Sequence, residues 1–84
     1  MRHLFIINPA AGKKNTTAQL EALLEKLSFP HEVVYTTGEG DAQRFTEEAA
    51  RSGEPVRVYA CGGDGTLNEV VNGAAGHSHV AVTN

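Results

Sequence analysis

Gly62, Gly63, Asp64 and Gly65 put three glycines and one carboxylate into four consecutive positions of the stretch CGGDGTLNEVVNG, Cys61 to Gly73. Glycines there can adopt positive φ and let backbone N–H groups approach a ligand with no Cβ in the way. Thr66 and Glu69 stand in capping-box spacing, so a helix is expected to begin beside those amides. The partial positive charge of a helix N-terminus favours an anion, most often a phosphate. Asp64 would repel bare phosphate. It makes sense if Mg²⁺ mediates, because that ion takes one or two carboxylates, several waters and the substrate phosphates. The chemistry expected of this loop is therefore binding of a Mg-nucleotide.

The elements that must position the loop can be read from the hydrophobic pattern. His3 to Asn8 is a nearly continuous apolar run, as expected of a strand covered on both faces. Thr16 and Gln19 have capping-box spacing, and Leu20, Leu23, Leu24 and Leu27 then recur at helical intervals, predicting a first helix to about Ser28. His31 to Thr37 is β-branched and aromatic, the mark of a second strand. Asp41 is placed to cap a second helix with Ala42, Phe45 and Ala49 on its apolar stripe and Gly53 past its end. Pro55 to Cys61 reads as a third strand. After the glycine junction, Leu67, Val70, Val71 and Ala74 stripe a third helix, and His79 to Thr83 begins a fourth strand. The leucine and valine stripes are expected to be core.

This alternation predicts an α/β fold, three layers α/β/α about a parallel sheet of about four strands and three helices. In such sheets ligands bind at the carboxyl ends of the strands. The turns NPAAGKKN after the first strand and GGDGT after the third both leave at that end and are expected to face one pocket.

Other readings are excluded by spacing or charge. A Walker A loop would need Ser or Thr where Lys14 stands and glycine where Ile7 stands; a dinucleotide fingerprint counted from Gly63 would need glycine where Asn68 stands. The formal charge of −3, with Lys and Arg scattered, argues against a nucleic-acid partner. Leu4 to Ile7 is too short an apolar run for a secretory or membrane segment, and the single Cys61 cannot form an internal disulfide, so a cytoplasmic location is expected. The sequon at Asn15 is then a chance match. Cys61 reads as a small apolar residue ending a strand, and His77 and His79, with no third ligand nearby, as surface or loop residues.

Gly62 to Gly73, together with NPAAGK from Asn8 to Lys13, closely resembles the catalytic domain of the diacylglycerol kinase family, especially its bacterial soluble lipid kinases. Sphingosine kinases and NAD kinases share the superfamily; NEVVNG after the GGDGT core looks like the lipid-kinase branch. The resemblance implies ATP-dependent phosphoryl transfer to a diacylglycerol-like lipid hydroxyl, with ATP and Mg²⁺ required. It implies that Asn8, Pro9, Ala10, Ala11 and Gly12 line the ATP site and that Thr36, five residues before Asp41 of a G-D-A turn, touches the nucleotide. It assigns Gly62, Gly63, Asp64, Gly65, Thr66, Leu67, Asn68 and Glu69 to the phosphates, with Asp64 catalytic and joined to Mg²⁺ through water. Lys13 is placed to add a charge, although Lys13 and Lys14 also read as solvated loop residues.

The family's P-x-G-T-x-N-D segment and its β-rich second domain, which carries the base and much of the lipid site, do not occur in these residues. The expectation is therefore an N-terminal part, residues 1–84, of a nucleotide-binding catalytic domain, inactive on lipid by itself. The longer protein would touch a membrane surface transiently. An NAD kinase-like enzyme, or a non-catalytic nucleotide-binding or self-associating fragment, are the alternative readings.

Overall fold

The computed structural model describes residues 1–10 and 16–84. In chain order the elements are β1 (Arg2–Ile7), α1 (Thr16–Leu24), β2 (Glu32–Tyr35), α2 (Asp41–Arg51), β3 (Val56–Cys61), α3 (Asp64–Ala74) and β4 (Val80–Thr83). The α/β class is as the alternation predicted. All pairings are parallel, and the sheet order is β2-β1-β3-β4.

The side-chain period of two explains why β1 reads as an unbroken apolar run. Leu4 and Ile6 point to one face and Phe5 and Ile7 to the other, and all four are buried. The first face packs against α2 and α3, where Leu4, Ile6, Val56, Val58 and Ala60 meet Ala42, Ala49 and Val70. The second carries α1, whose Leu24 joins Phe5 and Ile7, with Leu20, Leu27, Val33, Tyr59 and Cys61 around them. Val56, Val58 and Ala60 are buried while Arg57, Tyr59 and Cys61 are half-buried, so β3 is more fully covered on the two-helix side.

Several local expectations are corrected. The first helix stops at Leu24, not near Ser28; Lys26 and Leu27 then donate to the carbonyls of Leu23 and Leu24, tightening the chain into i→i−3 turns. Leu23 of its stripe is 61% exposed and Val71 of α3 is 48% exposed, so these two positions are not core. The capping box expected at Thr16 depends on a side chain outside the described residues. The sequon at Asn15 also lies outside them.

The α2–α3 contact accounts for the last glycine of the long motif. A Cβ on Gly73 would lie 2.7 Å from the Gln43 carbonyl oxygen and 2.8 Å from Thr46 Cβ. Thr46 is itself fully buried, its hydroxyl donating to the Ala42 carbonyl at 2.8 Å. Gly73 is thus a packing residue that lets two helices approach closely. Behind them, His79 Nε2 donates to the Ala50 carbonyl at 2.7 Å, tying the start of β4 to the end of α2.

Candidate functional site

The connection from β1 runs through α1 to β2 on one flank, and that from β3 runs through α3 to β4 on the other. Their helices lie on opposite faces. The chain therefore leaves the carboxyl ends of the neighbouring strands β1 and β3 in opposite directions, which opens a crevice between the two turns. Asn8 stands at one lip and Gly62 at the other.

Asn8 knits this junction together. Its backbone N–H donates to the Cys61 carbonyl at 2.9 Å, its Oδ1 accepts from the Ala10 N–H at 3.0 Å, and its Nδ2 donates to Thr66 Oγ1 at 3.3 Å. One side chain thereby holds the turn after β1 against the first turn of α3. Gly62 makes that approach possible, because a Cβ there would meet Thr66 Cβ at 2.9 Å and Asn8 Cβ at 3.1 Å.

Gly63 is the N-cap of α3, with φ −89° and ψ −168° and no side-chain cap. The first backbone bond of the helix is Leu67 N–H to the Gly63 carbonyl at 3.2 Å, so the amides of Asp64, Gly65 and Thr66 precede the helical ladder. Nothing lies within 4 Å of where a Cβ on Gly63 or Gly65 would stand. Both glycines line a cavity of about 660 Å³ together with Asn8, Pro9, Ala10, Thr36, Thr37, Gly38, Glu39, Ala42, Thr66 and Glu69. The turns after β1 and β3 do share one pocket, and the turn after β2 forms its third wall.

The physical reasons for this loop differ from those expected. Positive φ occurs at Gly40, Gly53 and Gly76, not at Gly62, Gly63 or Gly65, whose role is close approach and open space. Thr66 does not cap α3; it is the third helical residue, buried, and its hydroxyl accepts from Asn8. Glu69 does not return to its own helix start. Its carboxylate accepts from the Ala42 N–H at 3.1 Å and the Gly40 N–H at 3.2 Å, at the head of α2.

Asp41, expected to cap α2, is the first helical residue after the N-cap Gly40, which has φ 89°. Its Oδ2 instead accepts from the Thr37 N–H at 2.7 Å, the Thr37 hydroxyl at 2.9 Å and the Gly38 N–H at 3.2 Å. The two bonds from Thr37, with a smaller part from the Arg44 guanidinium, hold the Asp41 carboxyl below its usual range. The bonds from Thr37 and Gly38 also fold the turn that presents Thr36, a buried residue that lines the cavity.

The remaining candidates fall in different places. Asp64 is exposed at the first helical position of α3, beside the cavity rather than among its lining residues. Asn68 is exposed, while Leu67 packs against the α2–α3 core. Ala11, Gly12, Lys13 and Lys14 lie outside the described residues. Cys61 lines a second, more apolar hollow on the α1 side, and burial pushes its thiol pKa up. Thr37, Gly38, Glu39 and Ala42 were missed by sequence reasoning; the signal available was the TTGEGDA turn, whose closeness to the glycine loop depends on strand order.

The diacylglycerol kinase catalytic domain model matches residues 2–83, nearly the whole chain. The chain belongs to that family. A diacylglycerol kinase of Staphylococcus saprophyticus is 46% identical over 79 residues, covering 88% of this chain and 25% of the relative. One from Bacillus subtilis is 40% identical over 77 residues, with 88% and 25% covered. A crystal structure of a diacylglycerol kinase from Bacillus anthracis superposes with a TM-score of 0.69 at 28% identity, over 96% of this chain and 31% of that one. The chain spans about a quarter of the length of the curated relatives it matches.

Proposed function

We propose that this chain is the nucleotide-binding part of an ATP-dependent lipid kinase. In this reading it holds Mg-ATP with the phosphates at the N-terminus of α3, and the longer protein transfers the terminal phosphoryl group to a diacylglycerol-like hydroxyl. The observation that carries the reading is the empty space over Gly63 and Gly65, in front of first-turn amides that face a cavity at the switch point of a parallel sheet. A Cβ at either glycine would stand where a phosphate oxygen must come to reach those amides.

The residues of the crevice divide the work. The amides of Gly65 and Thr66 would donate to phosphate oxygens, and Asn8 holds Thr66 and the turn after β1 in register. The Thr36 turn would close over the nucleoside side of the cavity. Asp64 is exposed beside these amides and suits a Mg²⁺ ion reached through water. Among the described residues no three His, Cys, Asp or Glu side chains converge on one point. Water and phosphate oxygens would thus complete the ion's shell, as that ion prefers. The bound ion would supply neutralisation of charge on the transferring group, and the protein's share of such a reaction is largely positioning.

The groups that bind the lipid and the base that deprotonates its hydroxyl would come from the part of the longer relatives that this chain does not span. No helix of the described residues is long and apolar enough to cross a membrane. In this reading the longer protein meets its lipid by transient contact with a membrane surface.

Calorimetric titration of Mg-ATP into the 84-residue chain tests the proposal. Saturable, Mg²⁺-dependent binding is expected, weakened by Asp64→Ala more than about tenfold, or 1.4 kcal/mol. A well-folded chain that binds no nucleotide, or binds equally without Mg²⁺ and without Asp64, would refute it.

A further inference from the structure

Two helix N-termini face the same cavity. Ala42 in the first turn of α2 lines it from one side, and Gly65 and Thr66 in the first turn of α3 line it from the other. Each is an anion-seeking end by virtue of its unpaired amides and helix dipole. They are not equivalent, because the α2 end is already occupied by a carboxylate from α3. Glu69 Oε1 accepts from Ala42 N–H and Oε2 from Gly40 N–H, one oxygen to each amide, across 27 and 29 residues of sequence.

We infer that Glu69 is a positioning residue, which clamps the Thr36–Gly40 turn and the head of α2 to α3 and, of these two ends, leaves α3 open to a polyphosphate. Resting on the nucleotide reading above, this has Glu69 act through the turn it holds, from its place in the cavity lining. Its two bonds set the separation between the wall that carries Thr36 and the amides of Gly65 and Thr66. Its charge also satisfies the α2 dipole, so a phosphate chain entering the cavity has one register instead of two. Asp41 secures the same turn from inside through Thr37 and Gly38, so with Glu69 removed the turn would keep its local fold and lose its attachment to α3.

The test compares wild type with Glu69→Ala and Glu69→Gln by titration with Mg-ATP and with inorganic tripolyphosphate, while NMR hydrogen exchange follows the Gly40 and Ala42 amides. Wild type is expected to bind one of either ligand. Glu69→Ala should expose both amides to exchange, weaken Mg-ATP about tenfold and admit a second tripolyphosphate at the vacated α2 end. Glu69→Gln keeps one carbonyl acceptor and should restore protection of one amide and most of the Mg-ATP affinity, which also decides the matter if the alanine variant does not fold. A folded Glu69→Ala chain with unchanged affinity, one tripolyphosphate and protected amides would overturn the inference while leaving the nucleotide reading intact. A folded wild type that binds neither ligand would overturn both, reducing Glu69 to a helix cap.

Discussion

Replacing Gly73 with alanine sets two effects of known sign against each other. Alanine in a helix interior is favoured over glycine by about 1 kcal/mol, so with free space the variant would be more stable. The space is not free. The new methyl would sit 2.7 Å from the Gln43 carbonyl oxygen, a backbone atom inside α2, and 2.8 Å and 3.2 Å from Thr46 Cβ and Cγ2. Thr46 cannot swing aside without breaking its buried bond to the Ala42 carbonyl, so α2 and α3 must separate. Overpacking of this kind costs about 1–3 kcal/mol. Subtracting the propensity gain leaves a net loss of up to about 2 kcal/mol, or roughly 4–8 °C in Tm for each kcal/mol in a domain of this size. Thermal and urea unfolding followed by circular dichroism would read it. A Gly73→Ala chain with a raised Tm would refute the reasoning, because it would mean that the helices do not meet at this glycine.

Gly65→Ala is the functional counterpart: its Cβ enters open space, so unfolding should be within about 0.5 kcal/mol of wild type, while Mg-ATP affinity falls more than about tenfold in the titration. Asp41 makes stability depend on pH in the acid range. Its folded pKa is depressed, so its contribution is present above the unfolded carboxyl value near ~3.9 and is lost as pH falls through the lower folded value. Asp41→Asn should therefore unfold at lower urea than wild type at pH 6, with the two midpoints converging once pH falls below the lowered folded pKa; midpoints that differ equally across the whole acid range would contradict this.

The order of elements was legible because side-chain periodicity is local. A period of two in β3 and helical spacing in α3 follow from the residues themselves, and both elements stand within about a residue or two of where the pattern puts them. Gly62 to Gly73 also carried the family, which the match over residues 2–83 shows. Capping was less legible. Thr66 and Glu69 have the spacing of a reciprocal cap, as Asp41 has the placement of an N-cap, yet each bonds elsewhere. Spacing states which local bonds are possible and says nothing of a better partner brought in from another element.

By itself the sequence determined the alternation of strands and helices, the parallel class that alternation enforces, and a glycine loop at a strand-to-helix junction. Those are properties of neighbours along the chain, set by periodicity and backbone freedom. Tertiary structure alone decided that β1 and β3 lie side by side, that the turn after β2 closes the third wall of the cavity, and that Glu69 reaches the head of α2. It also separated the three kinds of glycine: Gly62 and Gly73 for close approach, Gly63 and Gly65 for open space, and Gly40, Gly53 and Gly76 for positive φ. The reason is that a missing Cβ is the same in every glycine. What it permits is set by the atoms that folding brings opposite it.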